Sequence, residues 1–392
     1  MNPVICSIAR TPIGRFNGAF SPLTAMDLGG VAIGGALQRA GLQPEKVDEV
    51  IFGHVLQAGQ GQITSRQAAV QGGIPMTVPA VTVNKVCLSG LAAIQDAANH
   101  IRLGESKFVV AGGMESMTNA PYVLPGARAG YRLGDQKAVD VMMHDGLYCA
   151  FDSCMMGDSS DRKNDSLRID RKTQDAWAAM SHARAAEATD QGRFADEIVP
   201  VAVPQRRGEP VIVAEDEGFR RDVTTQSLAA LGPAFNPEGT ITAGNASQIS
   251  DGAAALVVAD RNAADAAGLP ILAEIIAYGQ VAGPDATLHE RPAEAMRAAL
   301  KRASLDVDDL DLVEINEAFA SVSHHSAEML DIDPGRVNVN GGAVALGHPL
   351  GATGARIVVT LVNALRTSGG QYGGASLCGG GGQGDALIVK VV

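Results

Sequence analysis

Two thiols, one imidazole and one carboxamide stand in turns suited to chemistry. Cys87 lies in N-K-V-C-L-S-G, after the strand pattern Val81–Val83 and at the start of the helical pattern Ser89–Ile101. A helix N-terminus carries roughly half a positive charge, which favours a thiolate, and its free N–H groups receive an oxyanion. His348 lies in G-G-A-V-A-L-G-H-P-L-G-A-T-G, Gly341–Gly354, a glycine-rich turn ahead of a helix. Glycine neighbours let the backbone approach a ligand closely. Cys378 ends a strand pattern and opens C-G-G-G-G-Q-G-D; Asn316 follows the strand pattern Asp311–Ile315 in E-I-N-E-A-F-A. Ligands in open α/β sheets gather outside the carboxyl ends of strands, so these turns are expected at one edge. One cysteine then attacks with the histidine as its base, and the other moves a proton. A papain-like protease has no role for a second cysteine in a glycine turn. Taken singly, each residue has a plainer reading: a buried structural thiol, a surface-loop histidine, a tight turn between strands.

Other chemistries lack their signatures. The P-loop G-x-x-x-x-G-K-[ST] is absent, and no G-x-G-x-x-G follows a strand convincingly. Cys149 and Cys154 are spaced C-x4-C with His144 and Asp152 nearby, but the second Cys or His pair of a zinc site is missing. The five cysteines, odd and sparse in a large chain, read as reduced thiols.

The elements that must position these turns alternate. Thr24–Ala40 has helical spacing and ends at Gly41; Val50–Val55, Val81–Val83 and Phe108–Ala111 read as strands. This is the rhythm of an α/β sheet with largely parallel strands. The rhythm returns near the C-terminus with matching residues. A-L-Q-R-A-G-L, from Ala36, answers A-L-K-R-A-S-L, from Ala299; V-T-V-N at Val81 answers V-N-V-N at Val337; V-A-G-G at Val110 answers L-C-G-G at Leu377. Blocks matched in one order point to an internal duplication. Between the copies lies a different stretch, with the loop-like N-A-P-Y-V-L-P-G-A-R-A-G-Y-R-L-G-D-Q-K and the charged run D-R-K-N-D-S-L-R-I-D-R-K, read as a solvated face. An amphipathic helix near Thr173–Thr189 and short strands near Ile198 and Val211 complete it. The expected division is a first half at 1–117, completed by 246–269, an inserted loop domain at 118–245, and a second half at 270–392.

The 392 residues are 46% apolar, enough for sizeable cores and too many for a disordered chain. With 31 Lys+Arg against 43 Asp+Glu, the formal charge is −12, which argues against nucleic acid or an anionic membrane as partner. No apolar run approaches the roughly 18 residues of a membrane span. The start M-N-P-V-I-C-S-I-A-R lacks the basic and apolar regions of a signal peptide, so a cytoplasmic location is expected.

G-H-P-x-G, C-x-G-G-G-x-G and N-E-A-F together, with A-R-T-P-I-G (Ala9–Gly14) and T-A-G-N-A-S-Q-I-S-D-G-A-A-A (Thr242–Ala255), make the chain resemble the thiolase family over essentially its whole length. The nearest likeness is to its short-chain biosynthetic members. The resemblance implies an α/β thiolase fold: a duplicated five-layered αβαβα core with an inserted loop domain. It implies a homotetramer built partly by the Tyr122–Met143 region, and acetyl-CoA C-acetyltransferase activity, the reversible Claisen condensation of two acetyl-CoA to acetoacetyl-CoA plus CoA. Carried onto this sequence, Cys87 is the acyl-accepting nucleophile, His348 takes its proton, and Cys378 is the acid/base at the α-carbon. Asn316 orients a water that forms one oxyanion site with His348. The N–H groups of Cys87 and Gly380 form the other. Ser247, Ala243, Leu147, Phe235, Phe319 and Met156 are expected along the pantetheine arm of coenzyme A, and Arg220 near its nucleotide. Coenzyme A thioesters enter as substrates; no metal or redox cofactor is required.

The chain departs from the family pattern at Met155-Met156-Gly157, where many biosynthetic relatives have His-Met-Gly. Methionine is flexible and apolar, so a longer acyl chain is an open alternative, as in a degradative 3-ketoacyl-CoA thiolase. A decarboxylating ketoacyl synthase would use two histidines with one cysteine. An inactive CoA-binding scaffold would have lost a catalytic group, and none is missing.

Overall fold

One element order occurs twice. In the first half β1 (Pro3–Arg10) is followed by α1 (Ala25–Ala40), β2 (Glu49–Gly53), α2 (Thr64–Gln71), β3 (Ala80–Val83), α3 (Ser89–Leu103) and β4 (Phe108–Ser116). β5 (Ser250–Asp260) joins this half after a long insertion that contains α4 (Met156–Leu167) and α5 (Arg171–Asp190). The second half runs β6 (Ala273–Ala282), α6 (Arg291–Ala303), β7 (Leu312–Ile315), α7 (Ala320–Leu330), α8 (Leu350–Ser368), β8 (Tyr372–Gly379) and β9 (Gln383–Val391). The computed structural model describes all residues, 1–392.

The first sheet has the order β3-β2-β4-β5-β1, and the second repeats it as β7-β8-β9-β6, with Val337 bridging β7 in the place of β3. The two first strands, β1 and β6, meet antiparallel at Val4–Glu274 and Ile5–Ala273. The sheets are mixed, not largely parallel. β2 pairs β3 and β4 in parallel, but β5 runs antiparallel to both neighbours, as does β9. For β9 the cause is local: β8 and β9 are joined by a tight turn with Gly381 and Gly382 at positive φ, and a hairpin can only be antiparallel. The duplication is one of strand order more than of local sequence. With Val50 set opposite Val313, strand pairing places Val110 opposite Gly374, three residues from the match at Leu377.

Burial follows the two-residue period of a strand buried on both faces. In β5, Ala254, Leu256 and Val258 face a central cluster, and Ala253, Ala255, Val257 and Ala259 face an outer one. β1 keeps to this scheme through a bulge between Ile5 and Ser7, which lets Ile5 and Ile8 both point inward. The layers are therefore α1 and α2, the first sheet, α3 and α8, the second sheet, then α6 and α7. Helix α8 is buried along almost its whole length, and the polar stripe Arg356, Thr360 and Asn363 is buried with partners in Glu314 and Glu197. No helix is long and apolar enough to cross a membrane.

The insertion departs from its expected surface character at one place. The charged run spans the second half of α4, the link 168–170 and the start of α5, and Asp161 and Asn164 in it are buried. One Asp161 carboxylate oxygen accepts the N–H groups of Thr240 (2.8 Å) and Ile241 (2.9 Å), which the long-range fold supplies. Helix α5 begins at Asp170, whose side chain accepts the Thr173 N–H at 2.8 Å.

The central helices touch backbone to backbone. A methyl added to Gly354 would lie 2.4 Å from the Leu91 nitrogen, and one on Gly113 would lie 1.9 Å from the Gly351 oxygen. Gly354→Ala is therefore expected to lower the denaturant midpoint, by the ~1–3 kcal/mol typical of an overpacked core. Gly34→Ala in α1 meets only the Gly72 oxygen at 3.6 Å and is expected to raise it, by ~0.5–1 kcal/mol. Equal midpoints for the two variants would contradict this account of the helix crossing.

Candidate active site

Cys87 sits in a turn fixed from several sides. Asn84 Oδ1 accepts the Val86 N–H at 3.1 Å, and the Ser89 hydroxyl donates to the Val86 carbonyl at 2.6 Å while accepting the Lys85 N–H at 2.8 Å. These bonds hold Val86 at φ +51°, a left-handed conformation that a β-branched residue adopts only when the surroundings enforce it. Cys87 is left two residues ahead of α3 and is buried. Burial pushes its thiol up to about 12, and the Glu115 charge adds to that; the N–H groups of Cys87 itself and of Gly380 oppose it. The thiolate expected from the helix N-terminus alone is thus not the resting form, because desolvation outweighs the backbone donors.

His348 occupies the equivalent place, two residues ahead of α8. Its Nδ1 lies 2.6 Å from the Thr353 hydroxyl, which donates to the Pro349 carbonyl at 2.8 Å. That hydroxyl has spent its proton, so it accepts from Nδ1–H, and this network assigns the lone pair to Nε2. Nε2 has no protein partner. Burial, with Arg356 adding, lowers the imidazole to about 3, so the ring is neutral and able to accept a proton. Gly347 precedes it at φ +114°, and a side chain there would strike Ser250 Oγ.

Cys378 lies at the end of β8, opposite Gly384, and is fully buried. Burial pushes its thiol above the ordinary range, and nearby Cys87 pushes it further. Asn316 directly follows β7, and its N–H donates to the Ser376 carbonyl at 3.0 Å. Both polar atoms of its amide are buried and lack a protein partner, the condition in which a bound water is retained.

Ser247, Ala243, Arg220, Leu147, Phe235, Phe319 and Met156 all line one cavity of about 490 Å³, together with His348 and Met155. Cys87, Cys378 and Asn316 are not in that lining; Cys378 packs beneath it, in a cluster with Phe319, Phe235 and Met156. Phe235 meets Phe319 edge to face at 6.1 Å. Its ring rests on Gly157, where a methyl would lie 2.3 Å from it. Phe16, Met117, Gln248 and Leu350 also line the cavity; Gln248 and Leu350 fall inside the quoted motifs, whereas Phe16 and Met117 carry no local sequence signal.

Sequence reasoning also missed two buried carboxylates. Glu115 accepts the N–H groups of Val55 (3.1 Å), Leu56 (3.1 Å) and Gly351 (2.9 Å), tying the turn after β2 to the first turn of α8. Glu317, in N-E-A-F, accepts from Trp177 Nε1 (2.9 Å), Ser181 (2.7 Å), Asn338 (3.0 Å) and the Val344 N–H (3.0 Å). It thereby fixes the turn of Asn316 against the segment leading to His348. Cys149 and Cys154 pair across a short hairpin, and no group of three or more His, Cys, Asp or Glu side chains converges to hold a metal ion.

Residues 3–262 match the thiolase N-terminal domain and residues 269–391 the thiolase C-terminal domain. A probable acetyl-CoA acetyltransferase of Mycolicibacterium smegmatis is 50% identical over 387 residues, covering 99% of this chain and 100% of that protein. The acetyl-CoA acetyltransferase of Cupriavidus necator is 47% identical over 387 residues, covering 99% and 98%. The crystal structure of the Bacillus anthracis acetyl-CoA acetyltransferase superposes with a TM-score of 0.97 at 41% identity, covering 100% of this chain and 99% of that one.

Buried neutral histidines give the protein an acid liability. His289, beside the Cys378 cluster, holds Asn164 Oδ1 at 2.8 Å, and burial lowers it from 6.5 to about 3. Its folded pKa lies below the unfolded one. Between these values the unfolded chain binds the extra proton, so stability falls as pH drops from about 6.5 toward 3. His289→Gln is expected to lose less stability than the parent between those limits in pH-dependent urea titrations. Parallel acid limbs would contradict the assignment.

Proposed function

The chain belongs to the thiolase family and is an acyltransferase, and we propose that it is an acetyl-CoA C-acetyltransferase working through an acyl-Cys87 intermediate. The observation that carries the proposal is a buried pair of neighbouring thiols and a neutral imidazole that lines one apolar cavity, Cys87 and the imidazole each standing just ahead of one of two touching helices. In the thiolytic direction, Cys87 gives its proton to His348 Nε2 and attacks the 3-keto carbon of acetoacetyl-CoA. The N–H groups of Cys87 and Gly380 receive the oxyanion; donors aimed where charge develops contribute about 3 kcal/mol each. The C2–C3 bond breaks, and the departing enolate is held by a water on Asn316 and by protonated His348. Cys378 gives its proton to C2, releasing acetyl-CoA. Coenzyme A then gives its thiol proton to the Cys378 thiolate and attacks the acyl group. Cys87 leaves and recovers its proton from His348. Each thiol starts and ends protonated, which agrees with their raised pKa values, and no redox or metal step enters.

Coenzyme A would lie along Leu147, Phe235, Ala243, Ser247 and Phe319, with Arg220 toward its phosphates. The assembly proposed is a homotetramer. Its support is the exposed apolar side chains carried by Tyr122–Met143, among them Tyr122 at 67% and Leu133 at 94% exposure. Service in short-chain acyl or fatty acid metabolism in the cytoplasm is the corresponding setting.

Met155 in the cavity wall makes chain length the open variable. Thiolysis of acetoacetyl-CoA is expected to exceed that of a medium-chain 3-ketoacyl-CoA. Cys87→Ala is expected to lose roughly 10³-fold or more of the rate and all covalent acyl label. Faster cleavage of the longer substrate would assign the protein to degradation instead. Retained label in Cys87→Ala would refute the nucleophile.

A further inference from the structure

The oxyanion site proposed above is assembled from turns in the two halves of the chain. Cys87 belongs to the turn after β3, in the first half, and Gly380 to the hairpin between β8 and β9, in the second. Between Asn84–Ser89 and Gly379–Asp385, where the Gly380 N–H acts electrostatically on the Cys87 thiol, the structure has one side-chain link. Lys85 Nζ donates to both carboxylate oxygens of Asp385, at 2.7 and 2.8 Å. Lys85 is two residues before Cys87. Asp385 lies directly across the hairpin from Leu377, the residue before Cys378.

We propose that Lys85 and Asp385 are a positioning pair that holds the Gly380 N–H in register with Cys87, so that both oxyanion donors meet the same acyl carbonyl. The proposal rests on the acyl-transfer reading above. Asp385 is fully buried, and Lys85 is the cation that opposes its desolvation, whereas Lys85 itself is 24% exposed. A buried carboxylate without its partner is expensive, so the pair constrains where the hairpin can sit. Packing alone sets the spacing of the two turns but not their alignment. A methyl on Gly379 would lie 2.6 Å from Leu88 Cγ, and one on Gly380 would lie 3.5 Å from Val86. Those contacts are apolar and can slide. The bidentate ion pair is directional and cannot slide without losing a bond. Misplacement of a donor by about 1 Å costs roughly 10²-fold in rate.

The test compares two reactions of one thiol. Acyl transfer develops an oxyanion at the carbonyl; displacement of iodide from iodoacetamide does not. In Asp385→Asn, thiolysis kcat is expected to fall roughly 10–100-fold with KM within about threefold, while the rate of Cys87 alkylation stays within about threefold. Lys85→Arg, which keeps the charge and two donors, is expected to recover most of kcat. If Asp385→Asn does not fold, Lys85→Met/Asp385→Leu removes the pair without leaving a buried charge and takes its place. Unchanged kcat, or alkylation falling in step with kcat, overturns the proposal. A parent protein that cleaves no 3-ketoacyl-CoA overturns the acyl-transfer reading and this role with it. An active parent with unaffected variants overturns this role alone.

Discussion

Everything at the site depends on how closely two helices can approach. α3 and α8 cross near their N-termini, with Gly90 against Ala355 and Gly354 against Leu91, at separations that exclude any side chain. Gly53 and Gly113 make room for the Gly351 carbonyl in the same way. This contact brings the residues just ahead of both helices together, and those residues carry Cys87 and His348. Glu115 then locks the arrangement. Its carboxylate accepts a free N–H from the first turn of α8 and two from the turn after β2, so one half of the chain caps a helix of the other.

Close approach also dries the site, and dryness sets its resting charge. Cys87, Cys378 and His348 are each pushed toward their neutral forms by burial. The helix N-terminus pulls Cys87 the other way, but a partial charge cannot match the loss of water around a whole one. The consequence is chemical. The thiolate forms when His348 takes the proton, at the moment a carbonyl is attacked, and charge passes between neighbours without accumulating. Once His348 carries that proton, its charge favours the Cys378 thiolate that the second half of the reaction needs.

What was legible in the sequence was local. The turns bearing Cys87, Asn316, His348 and Cys378 announce themselves by glycine, by the ends of apolar runs and by the helix starts that follow. The seven cavity positions came from resemblance, and the fold gathers them on one wall. What was not legible is long-range. Glu115 meets Gly351 across 236 residues and Lys85 meets Asp385 across 300, and neither carboxylate sits in a pattern that marks it as buried. The direction of β5 was hidden for the same reason, since more than a hundred inserted residues separate it from β4. In α4 the charges read as solvent-facing because their partners, the N–H groups of Thr240 and Ile241, lie in another segment.

The duplication gives the site its division of labour. Each half delivers one turn–helix unit to the centre, with its chemical group two residues ahead of the helix. Two identical units would bring two thiols or two imidazoles together, and neither pair can both lose and accept the same proton. At this place the halves differ, thiol in the first and imidazole in the second, and so supply an acid and a base from equivalent positions ahead of a helix. Cys378 and Gly380 have no such counterpart, because only β8 continues into a tight glycine hairpin; after β4 the chain leaves for the insertion. The first half spends that connection on the wall of the cavity, where Leu147, Met155, Met156 and Phe235 all reside. One copy therefore supplies most of the substrate wall and the other the proton donor, and the oxyanion site lies on the seam between them.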